Sequence, residues 1–387
     1  MTGPQSAPQG IVAGSIPLFA GHPAPELLPV RGIRHALAAW DGRLPLRAFN
    51  YGDEQGDPQL LDFLLARLNA AEQLGIGREN LMIVPGSAGG LAMITRLLTK
   101  AGDTVLVDAP SYRDALHIFR DQGLALRALP IDDEGPRLDA LAAELERLAA
   151  KQMPPRFYYV VPNFQNPSGI TVSEARRRAI IELSNRYDFC IVEDDVYSDL
   201  RFADWAPPSF YALAGGENVL RLGSFSKTLA PGLRLGWLLG GSRQIAEFVK
   251  SGVLRMGGGA NPFNAALVAE YCQSGAWQAH VDWLLGQYRA RRDVALTALA
   301  ASMPGGLSWT RPAGGYFIWL RLPDAVDVDE LERRAQAQQV YFANGRGFFP
   351  EPAKGAHFLR LSYSYLPPDD LRTGIAILGS LIAQLAA

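Results

Sequence analysis

The run LMIVPGSAGGLAMITRLLTKAGDTVLVDAP, Leu81 to Pro110, changes its hydrophobic period twice. LMIV is a short, wholly apolar run that reads as a buried strand. Gly86 to Gly90 breaks it, LAMITRLLTK continues at helical spacing, and TVLVDA is a second strand. Neither strand alternates apolar with polar residues, so each calls for cover on both faces. That is the signature of a parallel sheet with crossover helices. The alternation continues downstream. YRDALHIFRDQG is a helix ended by Gly123, LALRALPI a strand, LDALAAELERLAA a helix and RFYYVVP a strand. SEARRRAIIELSNRY is a helix capped by Ser173, with Arg176 to Arg178 expected on its solvent side. FCIVEDD, VLRLGSFS and LRLGWLLG are strands. The sequence therefore predicts a large α/β domain over residues 50–285.

The remainder follows another rhythm. GGYFIWLRL is a strand, VDVDELERRAQAQ a helix, HFLRLSYSYL a strand and PPDDLRTGIAILGSLIAQLAA a helix. This predicts a smaller α+β domain over 286–387. The Pro- and Gly-rich residues 1–49 are expected to pack on it and cover the site, with MTGPQSAPQG as a disordered lead-in.

Composition narrows the function. The 387 residues carry a formal net charge of -2, so no basic excess recruits nucleic acid. No apolar run reaches the ~18 residues of a membrane span. The N-terminus does not read as a signal peptide. Cys190 and Cys272 lie far apart without metal or redox spacing, and the five histidines are scattered. Buried thiols, no metal and a reducing cytoplasm are the expectations.

In sheets of this kind ligands lie beyond the carboxyl ends of the strands. Small, polar or aromatic residues recur there: the GSAGG loop (86–90), Ser111 and Tyr112, Asn166 and Gly169, Asp194 and Tyr197, Ser224 and Lys227. A glycine loop opening a helix offers free N–H groups to a phosphate, to which Ser87 adds a hydroxyl. Asp194 ends an apolar strand, where it could cap a helix or lie under a protonated ring nitrogen. A carboxylate ~4 Å from such a nitrogen contributes about 4 kcal/mol at an effective dielectric of ~20, roughly three pK units. Lys227, in SFSKTLAPGLRLGW, could be a surface residue or a Schiff-base amine. The second role needs a lowered pKa, from a nearby cation such as Arg234 or from a desolvated pocket. Lysine, aspartate and phosphate loop together describe a pyridoxal 5'-phosphate (PLP) site.

With NYGDEQG, GSAGGL, PSY, NPSG, EDDVY, SFSKTLAPGLRLGW and FLRLSY in that order, nearly the whole chain resembles the fold-type I, class I aminotransferases. Within them it is similar to the 2-aminoadipate and kynurenine aminotransferase subgroup. The resemblance implies a seven-stranded-type, mostly parallel sheet, PLP as cofactor and a cytoplasmic homodimer with shared active sites. It implies Lys227 as the amine that holds the cofactor aldehyde and moves the α-proton. Asp194 is implied as partner of the ring nitrogen, chosen over Asp195 because the family's aspartate stands three residues before the tyrosine, here Tyr197. Tyr197 and Asn166 correspond to groups holding the cofactor's 3′-oxygen, and Tyr112 to the aromatic on the ring face. Ser87, Ala88 and Gly89, with Ser224, Ser226 and Arg234, form the implied phosphate cup. Tyr51 is implied to reach the neighbouring subunit's phosphate. Arg360 corresponds to the clamp on the substrate α-carboxylate, and Gly21 to the small residue beside the substrate. The Gly21–His22 stretch is one residue shorter than the subgroup's usual pattern.

Phe19, Trp40, Phe164 and Phe348 are expected to serve packing. Arg31 and Arg34 are candidates for a distal carboxylate but read as surface residues. LRMGGGANPFNAALVAEY, with Gly257 to Gly259, is expected to cross the dimer interface. Two other functions use the same motifs: a PLP-dependent lyase carrying out β-elimination, and an aminotransferase-like effector-binding half of a transcription regulator.

Overall fold

A computed structural model describes residues 11–12, 14–40, 45–203, 205–257 and 259–386. The expected lead-in, residues 1–10, and Gly258 of the glycine run lie outside them. The large sheet has strands β1 (Leu81–Val84), β2 (Thr104–Ala109), β3 (Ala125–Asp132), β4 (Gly135–Pro136), β5 (Phe157–Val160), β6 (Cys190–Asp194), β7 (Val219–Ser224) and β8 (Gly236–Leu239). Their spatial order is β1-β8-β7-β6-β5-β2-β3-β4. The pairs β2–β3, β2–β5, β5–β6 and β6–β7 are parallel. β8 runs antiparallel to both its neighbours, and the two-residue β4 folds back on β3. Seven longer strands, mostly parallel, thus form the sheet, and apolar side chains on both faces explain the absence of alternation: β1 and β5 are buried at every position.

The reading of LRLGWLLG as one strand is corrected. Pro231–Leu233 is a single 3-10 turn and Arg234 has φ 52°, so the strand begins only at Gly236. The Pro-Gly pair bends the chain first, and the left-handed residue turns the arginine back toward the glycine loop. The helix Glu174–Tyr187 also corrects an expectation. Ser173 does cap it, its Oγ accepting from Arg176 N, but Arg177 is fully buried rather than solvent-facing. Arg177, Ile180 and Ser184 share the buried stripe of that helix.

The C-terminal part carries a four-stranded antiparallel sheet built from Ser308–Trp309, Phe317–Arg321, Phe358–Ser362 and Ala343–Asn344. The helices Val328–Ala337 and Pro368–Ala386 pack with it, and the former is capped by Asp327. Ile16–Pro17 pairs in parallel with Val340–Tyr341, and Ser362 N donates to Leu18 O. The N-terminal segment is thereby fastened beside Arg360. Residue 285 falls within one helix, Ala276–Ser302, which carries Trp277 and Val281 into one apolar cluster and Tyr288 and Leu299 into the other.

Candidate active site

β1, β6 and β7 deliver their carboxyl ends to one cavity of about 620 Å3, walled on its far side by the N-terminal segment and the antiparallel sheet. Lys227, Asp194, Tyr197, Tyr112, Asn166, Ser87, Ala88, Ser224, Ser226, Arg234, Arg360 and Gly21 all line it. Gly89 does not; it sits in the first turn of the helix Gly86–Leu98 against Pro85. Tyr51 lies outside, 79% exposed, with its ring against Gly257.

The strand geometry separates the two neighbouring aspartates. Asp195 is fully engaged: Arg221 donates to its Oδ2 from Nη2 (2.7 Å) and Nε (3.2 Å), and Asn163 Nδ2 donates to Oδ1 (2.7 Å). Among the described residues, the Asp194 carboxylate accepts only from Tyr159 OH, at Oδ2 (2.7 Å). Its Oδ1 is buried in the cavity wall without a partner. Burial raises the Asp194 pKa to about 6, opposed by the Tyr159 hydrogen bond. A cationic ring N–H at Oδ1 would complete the carboxylate's hydrogen bonding and restore its charge. Tyr159 was not anticipated from sequence. Its signal was a tyrosine inside a buried strand, whose hydroxyl needs an acceptor.

Lys227 is held in a low-dielectric corner. Its Nζ donates to Gly21 O (3.2 Å) and lies 5.7 Å and 5.6 Å from the ring centroids of Tyr197 and Tyr316. Burial foremost, then the neighbouring Arg360 and Arg234 against the opposing Asp194, brings its pKa down to about 8. A substantial fraction of the amine is therefore neutral near physiological pH, as a nucleophile requires.

One end of the cavity is a helix terminus. Pro85 offers no side-chain cap, and no acidic residue stands in the first turn of Gly86–Leu98, so its N–H groups are free for an anion. Gly86 has φ +73°, and a Cβ there would lie 2.8 Å from Arg234 Nη2. Only glycine permits this approach of guanidinium and helix end. Ser224 Oγ accepts from Ser226 N (3.1 Å) on the facing turn.

Arg360 occupies the opposite end. Nη1 donates to Asn166 Oδ1 (2.8 Å) and Nη2 to Phe19 O (2.7 Å), while Nε is buried without an acceptor. Its guanidinium carbon lies 4.1 Å from the Phe317 ring centroid and 5.1 Å from that of Phe348. Burial lowers its pKa to about 10, so it stays cationic. A planar cation with an unused donor suits a carboxylate. Phe19 and Phe348 line the cavity wall, and Phe348 is also buried against Trp319, in keeping with the packing expectation. Trp40 packs on Phe263 and Phe164 on the Gly314–Gly315 turn. Arg31 and Arg34 are exposed on the helix Val30–Ala38. Arg113, Asp114 and Glu332 line the outer cavity and had no distinguishing sequence signal. No cluster suited to a metal occurs among the described residues.

A buried lysine, an aspartate with an unpartnered oxygen, an uncapped glycine-rich helix end and a buried arginine with an unused donor meet at one cavity of this sheet, a set whose chemistry fits pyridoxal phosphate. The model of the family "Aminotransferase class I and II" matches residues 43–378, and the chain belongs to that family. It is 33% identical over 95% of its length to the aromatic-amino-acid aminotransferase 1 of Thermococcus litoralis, covering 88% of that protein. It is 31% identical over 96% of its length to an uncharacterized HTH-type transcriptional regulator of Bacillus subtilis, covering 75% of it. Among solved structures, the kynurenine aminotransferase of Pyrococcus horikoshii, in complex with PMP, superposes with a TM-score of 0.91. It is 33% identical, with 96% of this chain and 92% of that one covered. The protein is an aminotransferase and its cofactor is pyridoxal phosphate. Its substrates are amino acids and 2-oxo acids. No helix among the described residues is long and apolar enough to cross a membrane.

Proposed function

We propose that this enzyme moves the amino group of a large, apolar L-amino acid, aromatic donors foremost, to a 2-oxo acid such as 2-oxoglutarate, in two ping-pong half-reactions. The observation that carries the reading is the placement of Lys227 Nζ, Asp194 Oδ1 and the Arg360 guanidinium around one cavity. Arg360 takes the α-carboxylate. Lys227 would hold the cofactor's aldehyde and, once released from it, would take up the substrate's α-proton. Asp194 keeps the ring nitrogen protonated, and Tyr197 and Asn166 hold the ring oxygen. Tyr112 covers the ring face. Ser87, Ala88 and Gly89, with Ser224, Ser226 and Arg234, hold the phosphate, and Gly21 leaves room for substrate. The bound cofactor supplies an electron sink for the pair left behind when the α-proton departs. Phe19, Phe342 and Phe348 in the outer wall support an aromatic donor.

The active assembly is a cytoplasmic homodimer, with a large domain over 50–285, a small domain over 286–387 and residues 1–49 covering the site. Leu46 (85%), Phe49 (61%), Tyr51 (79%) and Met256 (81%) are exposed large apolar residues, and Tyr51 touches Gly257. Such an exposed apolar surface supports a second copy seated on it, with Tyr51 completing the partner's site. The test is a half-reaction. Incubation with phenylalanine should give pyridoxamine phosphate and phenylpyruvate, and Lys227→Ala should stay folded without turnover. Full turnover by that variant would overturn the assignment. Pyruvate and ammonia from a β-substituted donor, without pyridoxamine phosphate, would make it a lyase.

A further inference from the structure

Lys227 lies in the irregular turn after β7, outside any helix or strand. Its four-carbon stem is flexible, so its aim depends on how its own peptide is held. No backbone N–H among the described residues donates to the Lys227 carbonyl. Tyr316 OH does, at 2.8 Å. The Tyr288 hydroxyl lies 3.3 Å from that of Tyr316. A phenol has one proton, and Tyr316 commits it to the shorter contact, which leaves Tyr288 to donate to Tyr316. Both tyrosines are fully buried, with ring centroids 5.0 Å apart.

The same residue also walls the amine. The Tyr316 ring stands 5.6 Å from Nζ and edge-on to Tyr197 at 5.6 Å, so two aromatic rings flank the lysine. Tyr316 is itself firmly seated. Gly315 before it has φ +68°, and a Cβ there would come within 2.6 Å of Phe164 Cβ. Tyr363 OH donates to Gly314 O (2.7 Å) and Gly315 N to Leu200 O (2.9 Å).

We propose that Tyr316, backed by Tyr288, is a positioning residue that aims Lys227 by holding its peptide carbonyl, so that the C-terminal sheet sets the reach of the amine. The inference rests on Lys227 being the amine that takes the cofactor aldehyde. Tyr316→Phe keeps the ring and deletes the hydroxyl. Apoprotein would be mixed with pyridoxal phosphate, quenched with borohydride at timed intervals and the label on Lys227 counted. Capture should slow by roughly five- to ten-fold, the worth of one buried hydrogen bond. In the holoenzyme kcat should fall by a similar factor with KM for the donor nearly unchanged. Tyr288→Phe should show the same pattern more weakly, about two- to three-fold, at unchanged Tm. Capture by Tyr316→Phe at the wild-type rate would overturn the inference. Should that variant not fold, wild-type capture by Tyr288→Phe would overturn it instead. Failure of the wild-type protein to become labelled at Lys227 would instead remove the functional reading on which the inference stands.

Discussion

Arg177 offers the sharpest test of how the cavity is supported. Its guanidinium donates from Nε to Val172 O (3.0 Å), from Nη1 to Pro208 O (3.0 Å), and from Nη2 to Pro162 O (3.1 Å) and Asn163 Oδ1 (2.7 Å). Glu193 Oε1 lies 3.9 Å away, and both side chains are fully buried. One cation thus ties together three chain segments beyond β5 and β6. Arg177→Met keeps much of the volume but leaves three carbonyls without their donor and removes one of the two cations beside Glu193, which still accepts from Phe210 N and Tyr211 N. Breaking a buried pair from one side costs about 3–5 kcal/mol. An unfolding entropy of ~2.1 cal/mol/K per residue over the 387 residues is ~0.8 kcal/mol/K. The Tm should therefore fall by roughly 4–6 °C, read by calorimetry on matched holoenzymes. The deficit should also depend on pH. Burial raises the Glu193 pKa, Arg221 and Arg177 pull it back, and removing Arg177 lets it rise further. The folded chain then holds a proton that the unfolded chain has already lost, so stability falls as pH rises through that interval. The deficit should be wider at about pH 8 than at about pH 5.5. A variant melting within about 1 °C of wild type at both pH values would refute the reasoning.

Further expectations concern the chemistry. Asp194→Asn should lower kcat by about a thousandfold, the loss of ~4 kcal/mol of ring-nitrogen stabilisation, whereas Asp195→Asn should chiefly lower Tm through Arg221. A larger kcat loss in Asp195→Asn would reverse the assignment. Capture of pyridoxal phosphate by apoprotein should rise with pH around a midpoint near 8, because only the neutral Lys227 amine attacks. A midpoint near the ordinary lysine value would show that the corner does not desolvate it. Arg360→Lys should raise KM for donor and acceptor by roughly 10–100-fold, since an ammonium cannot reproduce the planar fork. Unchanged KM in steady-state assays would move the carboxylate elsewhere.

What could be read from the sequence follows from which interactions are local. The alternation of β1, the helix Gly86–Leu98 and β2 was legible because period and a glycine break act within a few residues. The direction of β8 was not, since it depends on which strands flank it, a matter of long-range pairing. Asp194 and Asp195 look alike in EDDVY. Opposite faces of the chain separate them, one to the cavity and one to Arg221. Tyr316 carried no motif, because its role lies in a hydrogen bond to a backbone atom 89 residues away.

Arg177 shows a signal that was present and outweighed. In ARRRAII three successive arginines suggest a solvated face, yet a helix turns about 100° per residue, so three neighbours cannot share one side. Arg176 and Arg178 meet acidic partners at the surface, Asp132 with Glu134 and Glu174 respectively. Arg177, three residues before Ile180 and seven before Ser184, was bound to face the sheet once Ile180 did. A cation forced inward at that position must find acceptors, and the carboxyl ends of parallel strands, where loops expose carbonyls, are where they are available. The same strand ends that collect catalytic residues also require a buried scaffold behind them, and the middle arginine of the triplet supplies it.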